Sequence, residues 1–366
     1  MANLEKKVDN VTWKGQLRYR YHNEWEIDEG TSTRYTHSFV TFRLDPTMRI
    51  NEHWTGNARL EYNSNMNTAT NTPLSTPPMT LTKRHLDTDI EYNGARVERI
   101  WAEGNYNNLN IKLGKLPYKT IVDEGMMYDY SVAGGQVTFG KKLKATLTAG
   151  RIKKFDGEIG IDPDEARLTQ GDTGSYQAIE IYNDRNDKIT WGVAYHRWAN
   201  KDVLREDTDA EKLNIYEVAL GYKFSKSLRL HGAYSWTNDP SFDHDFADKA
   251  ETIPVANPIF SHAKRSWSIE LDYKKADPAD KGSWGAFVAY RHLGHYSSIA
   301  PTYNAIYNGR RGWELGVDYV FFKNVMGTVK FFRGQKMPDD DNGNNPGLRD
   351  EMENDSVFLA ELNFFF

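Results

Sequence analysis

The sequence predicts an all-β protein: a transmembrane, antiparallel, up-and-down β-barrel of about 16 strands with an inward-folded third loop. Three observations predict it. Apolar residues recur at every second position in segment after segment; no apolar run approaches the roughly 20 residues a spanning helix needs; and long and short connections alternate along the chain. Residues 357–366 show the first of these most clearly. Phe358, Ala360, Leu362, Phe364 and Phe366 form an unbroken apolar row, and Val357, Leu359, Glu361, Asn363 and Phe365 form a mixed row between them. Rows this different mark a strand with two surroundings, oil on one face and a half-polar medium on the other. The bland alternative is an edge strand of a soluble sandwich.

Taken in order, the alternation begins at Val11. Val11, Trp13, Gly15, Leu17, Tyr19 and Tyr21 share one face, and Thr12, Lys14, Gln16, Arg18, Arg20 and His22 share the other. Several cations on one inner row cannot occupy a dry core without partners, so that face reads as wet. A polar loop is expected next, then Val40, Phe42 and Leu44 alternating with Thr41, Arg43 and Asp45 up to a turn at Asp45-Pro46. Trp54, Gly56, Ala58, Leu60 and Tyr62 follow, set against Thr55, Asn57, Arg59, Glu61 and Asn63. The Thr/Asn/Pro-rich stretch at about 64–85 reads as a surface loop. A fourth segment near 96–104 alternates poorly, whereas the fifth, with Leu109, Ile111 and Leu113, is clear. Later rows repeat the pattern, among them Leu143, Ala145, Leu147 and Ala149, then Tyr216, Val218, Leu220 and Tyr222, and Trp313, Leu315, Val317 and Tyr319. Many rows begin or end in an aromatic residue, as interfacial girdles do.

Short links fall near Gly140-Lys141, 184–187, 224–227 and 322–324. Long ones fall at about 64–86, 117–134, 152–174, 199–212, 237–265, 293–310 and 333–355. Tight turns on one rim and long loops on the other are the habit of an up-and-down membrane barrel. The links at 45–53 and 275–283 are longer than typical turns. Residues 1–10 read as a disordered leader or the remnant of an N-terminal stalk, and 11–366 as one barrel. Charged residues reach 27%, and the mean hydropathy is low because only alternate positions face lipid. Ten Trp, 21 Tyr and 17 Phe would supply the girdles, and the absence of cysteine suits an oxidising compartment. A net charge of -5 argues against a nucleic-acid partner. The opening residues lack the charged-then-apolar pattern of a signal peptide.

A barrel this wide leaves an aqueous channel, and function resides where the bore is narrowest. The candidate is the segment from Gly114-Lys115-Leu116-Pro117-Tyr118 through Asp123-Glu124-Gly125-Met126-Met127-Tyr128-Asp129-Tyr130. It combines acids, glycines and apolar residues that an outward loop has no use for. Folded inward, it would show Asp123, Glu124 and Asp129 to a wall bearing Lys14, Arg18, Arg20, Arg43 and Arg59. Acids facing cations across water make a transverse field that orients polar solutes. The competing readings are an ordinary surface loop and a hydrated wall whose cations have local partners such as Glu61.

The closing row with Phe358, Leu362, Phe364 and Phe366 is similar to the C-terminal assembly signal of Gram-negative outer-membrane barrels. The 114–130 segment resembles the constriction loop of general diffusion porins. With its opening Asn3-Leu4-Glu5-Lys6-Lys7-Val8-Asp9-Asn10 and its G-K-L-P-Y motif, the chain resembles the barrel region of OmpM-type porins of Negativicutes. The resemblance implies a homotrimer of 16-stranded barrels in the bacterial outer membrane, inserted by the barrel assembly machinery through the last strand and passing small hydrophilic solutes. In that family an S-layer-homology domain and a coiled-coil stalk bind peptidoglycan. This chain lacks that domain, so a peptidoglycan tether is not carried over to it.

Rival functions find less in the sequence. A barrel enzyme would need a nucleophile or activated water beside a base, and neither a G-x-S-x-G nor an H-E-x-x-H context surrounds His244, His262, His292 or His295. Asp339-Asp340-Asp341-Asn342-Gly343-Asn344 opens like a calcium loop but lacks the closing Glu. The expectation is therefore no cofactor, beyond a divalent cation loosely held at outer loops such as this one or Asp243-His244-Asp245. A sugar- or peptide-specific channel is the runner-up, since Tyr and Trp could form a ladder; most of them, however, alternate onto the lipid side.

Overall fold

The computed structural model describes residues 10–28, 31–66, 94–153, 173–199, 212–237, 264–294, 296–337 and 353–366. They form β1 (Val11–Asp28), β2 (Thr31–Arg49), β3 (Trp54–Asn65), β4 (Gly94–Tyr106), β5 (Leu109–Lys119), β6 (Asp129–Gly140), β7 (Leu143–Lys153), β8 (Thr173–Asn183), β9 (Ile189–Ala199), β10 (Lys212–Lys223), β11 (Leu228–Thr237), β12 (Arg265–Lys274), β13 (Trp284–Leu293), β14 (Arg310–Phe322), β15 (Val325–Lys336) and β16 (Glu353–Phe365). Each strand pairs antiparallel with its sequence neighbours. β1 pairs with β16 from Gln16↔Phe365 to Ile27↔Asn354, which closes a 16-strand barrel.

The period-2 pattern sets which face is which. Leu17, Val193, Val218, Leu220, Ile269, Leu315, Val317 and Val329 point outward and are exposed, while Arg18, Arg20, Glu61, Glu180 and Glu314 point inward. Aromatic residues bracket the outward aliphatic band on both sides. Toward the long-loop rim Tyr195, Tyr216 and Trp236 pack at centroid distances of 5.3 and 5.6 Å, and Trp267, Tyr290 and Trp313 at 5.2 Å. Toward the turn rim lie Tyr222 with Phe224, Tyr273 with Trp284, and Tyr319 with Phe321. In β14 six residues separate Trp313 from Tyr319, about 20 Å of strand, close to the height of a lipid-facing band on a tilted strand. An apolar belt of this extent does not belong on a water-soluble monomer.

Several local expectations are corrected. The polar loop expected after His22 is strand: β1 and β2 stay paired up to Asp28↔Thr31, leaving a two-residue connection. The turn expected at Asp45-Pro46 is also strand, and the turn falls at 50–53. Proline is tolerated there because the ladder from β2 to β3 passes from Leu44↔Leu60 to Thr47↔Asn57 without using Asp45 or Pro46. The poor alternation near 96–104 has a cause: the register against β3 shifts between Arg59 and Leu60, a β-bulge at Glu98. Val97 and Ile100 remain outward while Glu98 and Arg99 both serve the inner face. Residues 1–9, the two acidic loop clusters at 243–245 and 339–344, and His244, His262 and His295 lie outside the described residues.

Candidate pore constriction

Residues 120–128, between β5 and β6, fold into the bore. Val122, Met126, Met127 and Tyr128 are almost wholly buried. Val122 packs with Tyr182 and Ala194 of the wall, Met127 and Tyr128 join Leu116, Val132, Tyr176, Trp198, Leu213 and Ile215, and Met126 joins Leu293, Phe332 and Val357. Burying those side chains drives the inward fold, at about 1.5–3 kcal/mol each. The tip turns on two consecutive left-handed residues, Glu124 at φ 57° and Gly125 at φ 90°. Glycine is required at the second, since an added Cβ would lie 2.6 Å from Lys119 Cε and 3.0 Å from Thr302 Cβ.

A buried polar seam pins this loop to the wall. Glu180 of β8 accepts the backbone N–H groups of Ile121 (2.5 Å) and Val122 (3.3 Å), and the Tyr118 hydroxyl donates to its other oxygen at 3.3 Å. Tyr118, Tyr176 and His196 continue inward at 2.8 and 2.7 Å, ending 3.1 Å from the carboxylate of Glu217. From the turn rim Arg185 donates to the carbonyls of Ile121 and Val122 at 2.5 and 3.0 Å.

A second segment, 296–309, comes in from between β13 and β14, half-way round the ring, and meets the first. The amides of Ile299 and Ala300 donate to Met127 O at 2.8 and 3.0 Å, Asp129 N donates to Ala300 O at 2.7 Å, and Thr302 N donates to Gly125 O at 2.8 Å. Ser298 Oγ donates to Met126 O at 2.7 Å, and Tyr128 and Ala300 form a parallel bridge. Two arginines fasten this strap to the wall. Arg291 stacks on Tyr303 with its guanidinium carbon 3.6 Å from the ring centroid, and Arg310 lies over Tyr307 while reaching Glu24 of β1 at 2.9 Å and Asp355 of β16 at 2.5 Å. The bore is therefore crossed by two loops rather than one.

The acids expected at the constriction divide. Asp123 is only 4% exposed, and its carboxylate turns back on its own loop, accepting the amides of Gly125 at 3.0 Å and Met127 at 2.7 Å. It builds the tip, because two converging N–H groups hold an anion better than open solvent does. Glu124 stays 35% exposed and receives a two-point contact from Arg229 of β11. Burial alone would push its carboxyl up; the hydrogen bonds and charge of Arg229, helped by His231 and Arg185, outweigh that and hold it below the usual carboxylate range. Asp129 accepts Thr302 Oγ1 at 2.6 Å and lies 3.7 Å from Lys119 Nζ.

Of the five cations expected on the wall of β1 to β3, the four arginines each lie beside a carboxylate or ring. Arg43 donates to Glu61 at 2.6 Å, and Arg96 reaches the other Glu61 oxygen at 2.7 Å. Arg59 grips Asp45 in a fork at 2.8 and 2.9 Å, with Glu98 at 3.8 Å. Arg20 pairs with Glu361, and Arg18 bonds Thr41 at 3.4 Å beside the ring of Phe39. Lys14 is exposed near the turn rim. The local-partner reading thus describes Arg43 and Arg59 well. Sequence reasoning missed Arg96, Glu98, Arg229, Glu180, Glu217 and the strap. A signal for the strap exists: Ile299, Ala300, Ala305 and Ile306 make its central stretch, 299–306, nearly as apolar as 121–127.

No protein-family model and no curated protein matches the sequence. Among solved structures the chain is similar to forms of the Rhodopseudomonas blastica porin carrying five, three and two substitutions, each at 12% identity and TM-score 0.50, covering 97% of this chain and 100% of that one. At that identity the likeness is one of fold, and it spans the whole barrel.

Proposed function

We propose that this chain is an outer-membrane porin through which small hydrophilic solutes and ions diffuse passively, slowed at the level where the loop 120–128 and the strap 296–309 meet. The observation that carries this reading is the closed barrel itself, apolar and aromatic-girdled outside, charged inside, with loops folded into the bore. A soluble sandwich or an enzyme has no need of all three. Solutes pass a transverse field between the arginine-rich wall of β1 to β4 and the acids Glu124 and Asp129 of the inward loop. The finer identity, an OmpM-type porin of Negativicutes assembled as a homotrimer and inserted through its C-terminal strand, rests on the motifs quoted above and the terminal aromatic row.

The test is planar-bilayer conductance with reversal potentials in a salt gradient, for the native chain and Glu124→Gln. Open steps in groups of three are expected, with the variant shifted toward anions because Arg229 loses its counter-charge. Absence of any conductance from a correctly folded barrel overturns the porin reading.

A further inference from the structure

Below the tip of the inward loop, three side chains of the lumen wall converge from two adjacent strands. His231 of β11 is registered directly opposite Glu270 of β12, and Asp272 lies two residues further along the same strand, hence on the same inner face. One ligand atom from each, His231 Nε2 and a carboxylate oxygen of Glu270 and of Asp272, lies within 4.8 Å of the others. The imidazole Nε2 stands 3.3 Å from Glu270 Oε1 and 3.3 Å from Asp272 Oδ2. Ligands bound at about 2.1 Å around a tetrahedral ion are separated by about 3.4 Å, so the two separations from the imidazole already match, and the third, within 4.8 Å, is within reach of a rotamer adjustment.

The neighbouring arginines do not fill that gap. Arg291 takes the other oxygen of Glu270, Oε2, and directs two further donors to Glu314 Oε2 at 2.7 Å and Ser268 Oγ at 2.5 Å. Arg229 is occupied by both oxygens of Glu124, and its approach to Asp272 is 4.0 Å. Arg291 acts instead as an outer partner that fixes the Glu270 carboxylate, as the groups behind the ligands of a metal site do. The three side chains are partly exposed to the lumen, at 16%, 16% and 28%, so an ion can enter and keep water on its open positions.

We propose that His231, Glu270 and Asp272 form a binding site for a borderline divalent transition ion, of which zinc is the probe, inside the bore and next to the Glu124–Arg229 contact. One imidazole and two carboxylates select such an ion over calcium or magnesium, which take all-oxygen shells. An ion held there adds positive charge beside the inward acid and narrows the path for cations.

The site stands on its own geometry, so binding and current are measured separately. Isothermal titration of the detergent-solubilised full chain with zinc chloride alone is expected to give one ion per chain, weakened about tenfold or more in His231→Gln and in Asp272→Asn. Both variants keep Glu270 for Arg291, and heat-modifiable migration checks that they fold. Equal zinc binding by native protein and His231→Gln, or none up to about 1 mM zinc, overturns the site. In the bilayer, zinc should reduce the native current and leave His231→Gln unaffected at the same concentration. Zinc binding by a chain that conducts nothing would keep the site and remove the porin reading.

Discussion

At the scale of single residues, Glu124 is the acid whose two surroundings compete. Partial burial opposes its charge and Arg229 restores it, so the carboxylate anchors the loop tip to β11 only while ionised. Because its folded value lies below the ordinary 4.5, the anchor is at full strength above that value and is lost as pH falls through the lowered one. Channel behaviour should therefore be steady from neutrality down to about pH 4.5 and become noisier below it, and Glu124→Gln should remove that acid transition from single-channel records taken across pH. Asp123 has a different task although it sits next door, because two backbone amides claim it. Sequence alone lists both as acids in a glycine-bearing loop. Which one faces the bore is decided by the left-handed pair Glu124 and Gly125, a backbone choice that leaves no mark in charge or hydropathy.

At the scale of elements, the strap is the part that decides the bore. Its contacts include backbone hydrogen bonds to a loop from the far wall, side-chain bonds from Ser298, Thr302 and Tyr307, and two arginine–tyrosine stacks, so it moves only if all of them yield. Replacing 299–306 by a short Gly/Ser linker should raise single-channel conductance and admit larger sugars in liposome swelling. Conductance unchanged by that replacement would place the narrow point elsewhere. The strands were legible because lipid imposes a strict period of two on their outer rows. Leu116, Leu213, Ile215, Phe332 and Val357 fall on inner rows that an open channel should keep polar, and each is buried beneath one of the inward loops. The strap was missed because length alone marked 293–310 as one outer loop among seven. Pairings between distant strands, such as Arg20 with Glu361 and Arg229 with Glu124, depend on closure and loop fold, which no local pattern encodes. The bulge at Glu98 hid β4 for the opposite reason: one extra residue breaks the period while the strand continues.

At the scale of the whole molecule, inner and outer faces obey different solvents, and substitutions should sort accordingly. Leu315 lies outward in mid-strand between Trp313 and Val317, half exposed to the medium. Leu315→Arg should cost about 2–4 kcal/mol when the barrel is in a bilayer, read by denaturant unfolding in lipid vesicles, whereas Lys14→Ala, exposed on the inner row, should cost under about 0.5 kcal/mol. A similar loss for both would contradict the lipid-facing assignment of that row. The same view bears on how the ring stays shut. Fifteen of its sixteen joints are hairpins or loops of continuous chain, and the joint between β1 and β16 has non-covalent contacts alone, the backbone ladder and side-chain pairs such as Arg20 with Glu361. Arg310, at the foot of the strap, holds Glu24 on one side of that joint and Asp355 on the other, while Tyr307 touches His22 at 3.2 Å. The end of the segment that narrows the passage thus lies, with Arg310, across the cylinder's one uncovalent seam, so closing the wall and seating the strap's last residues share the same contacts.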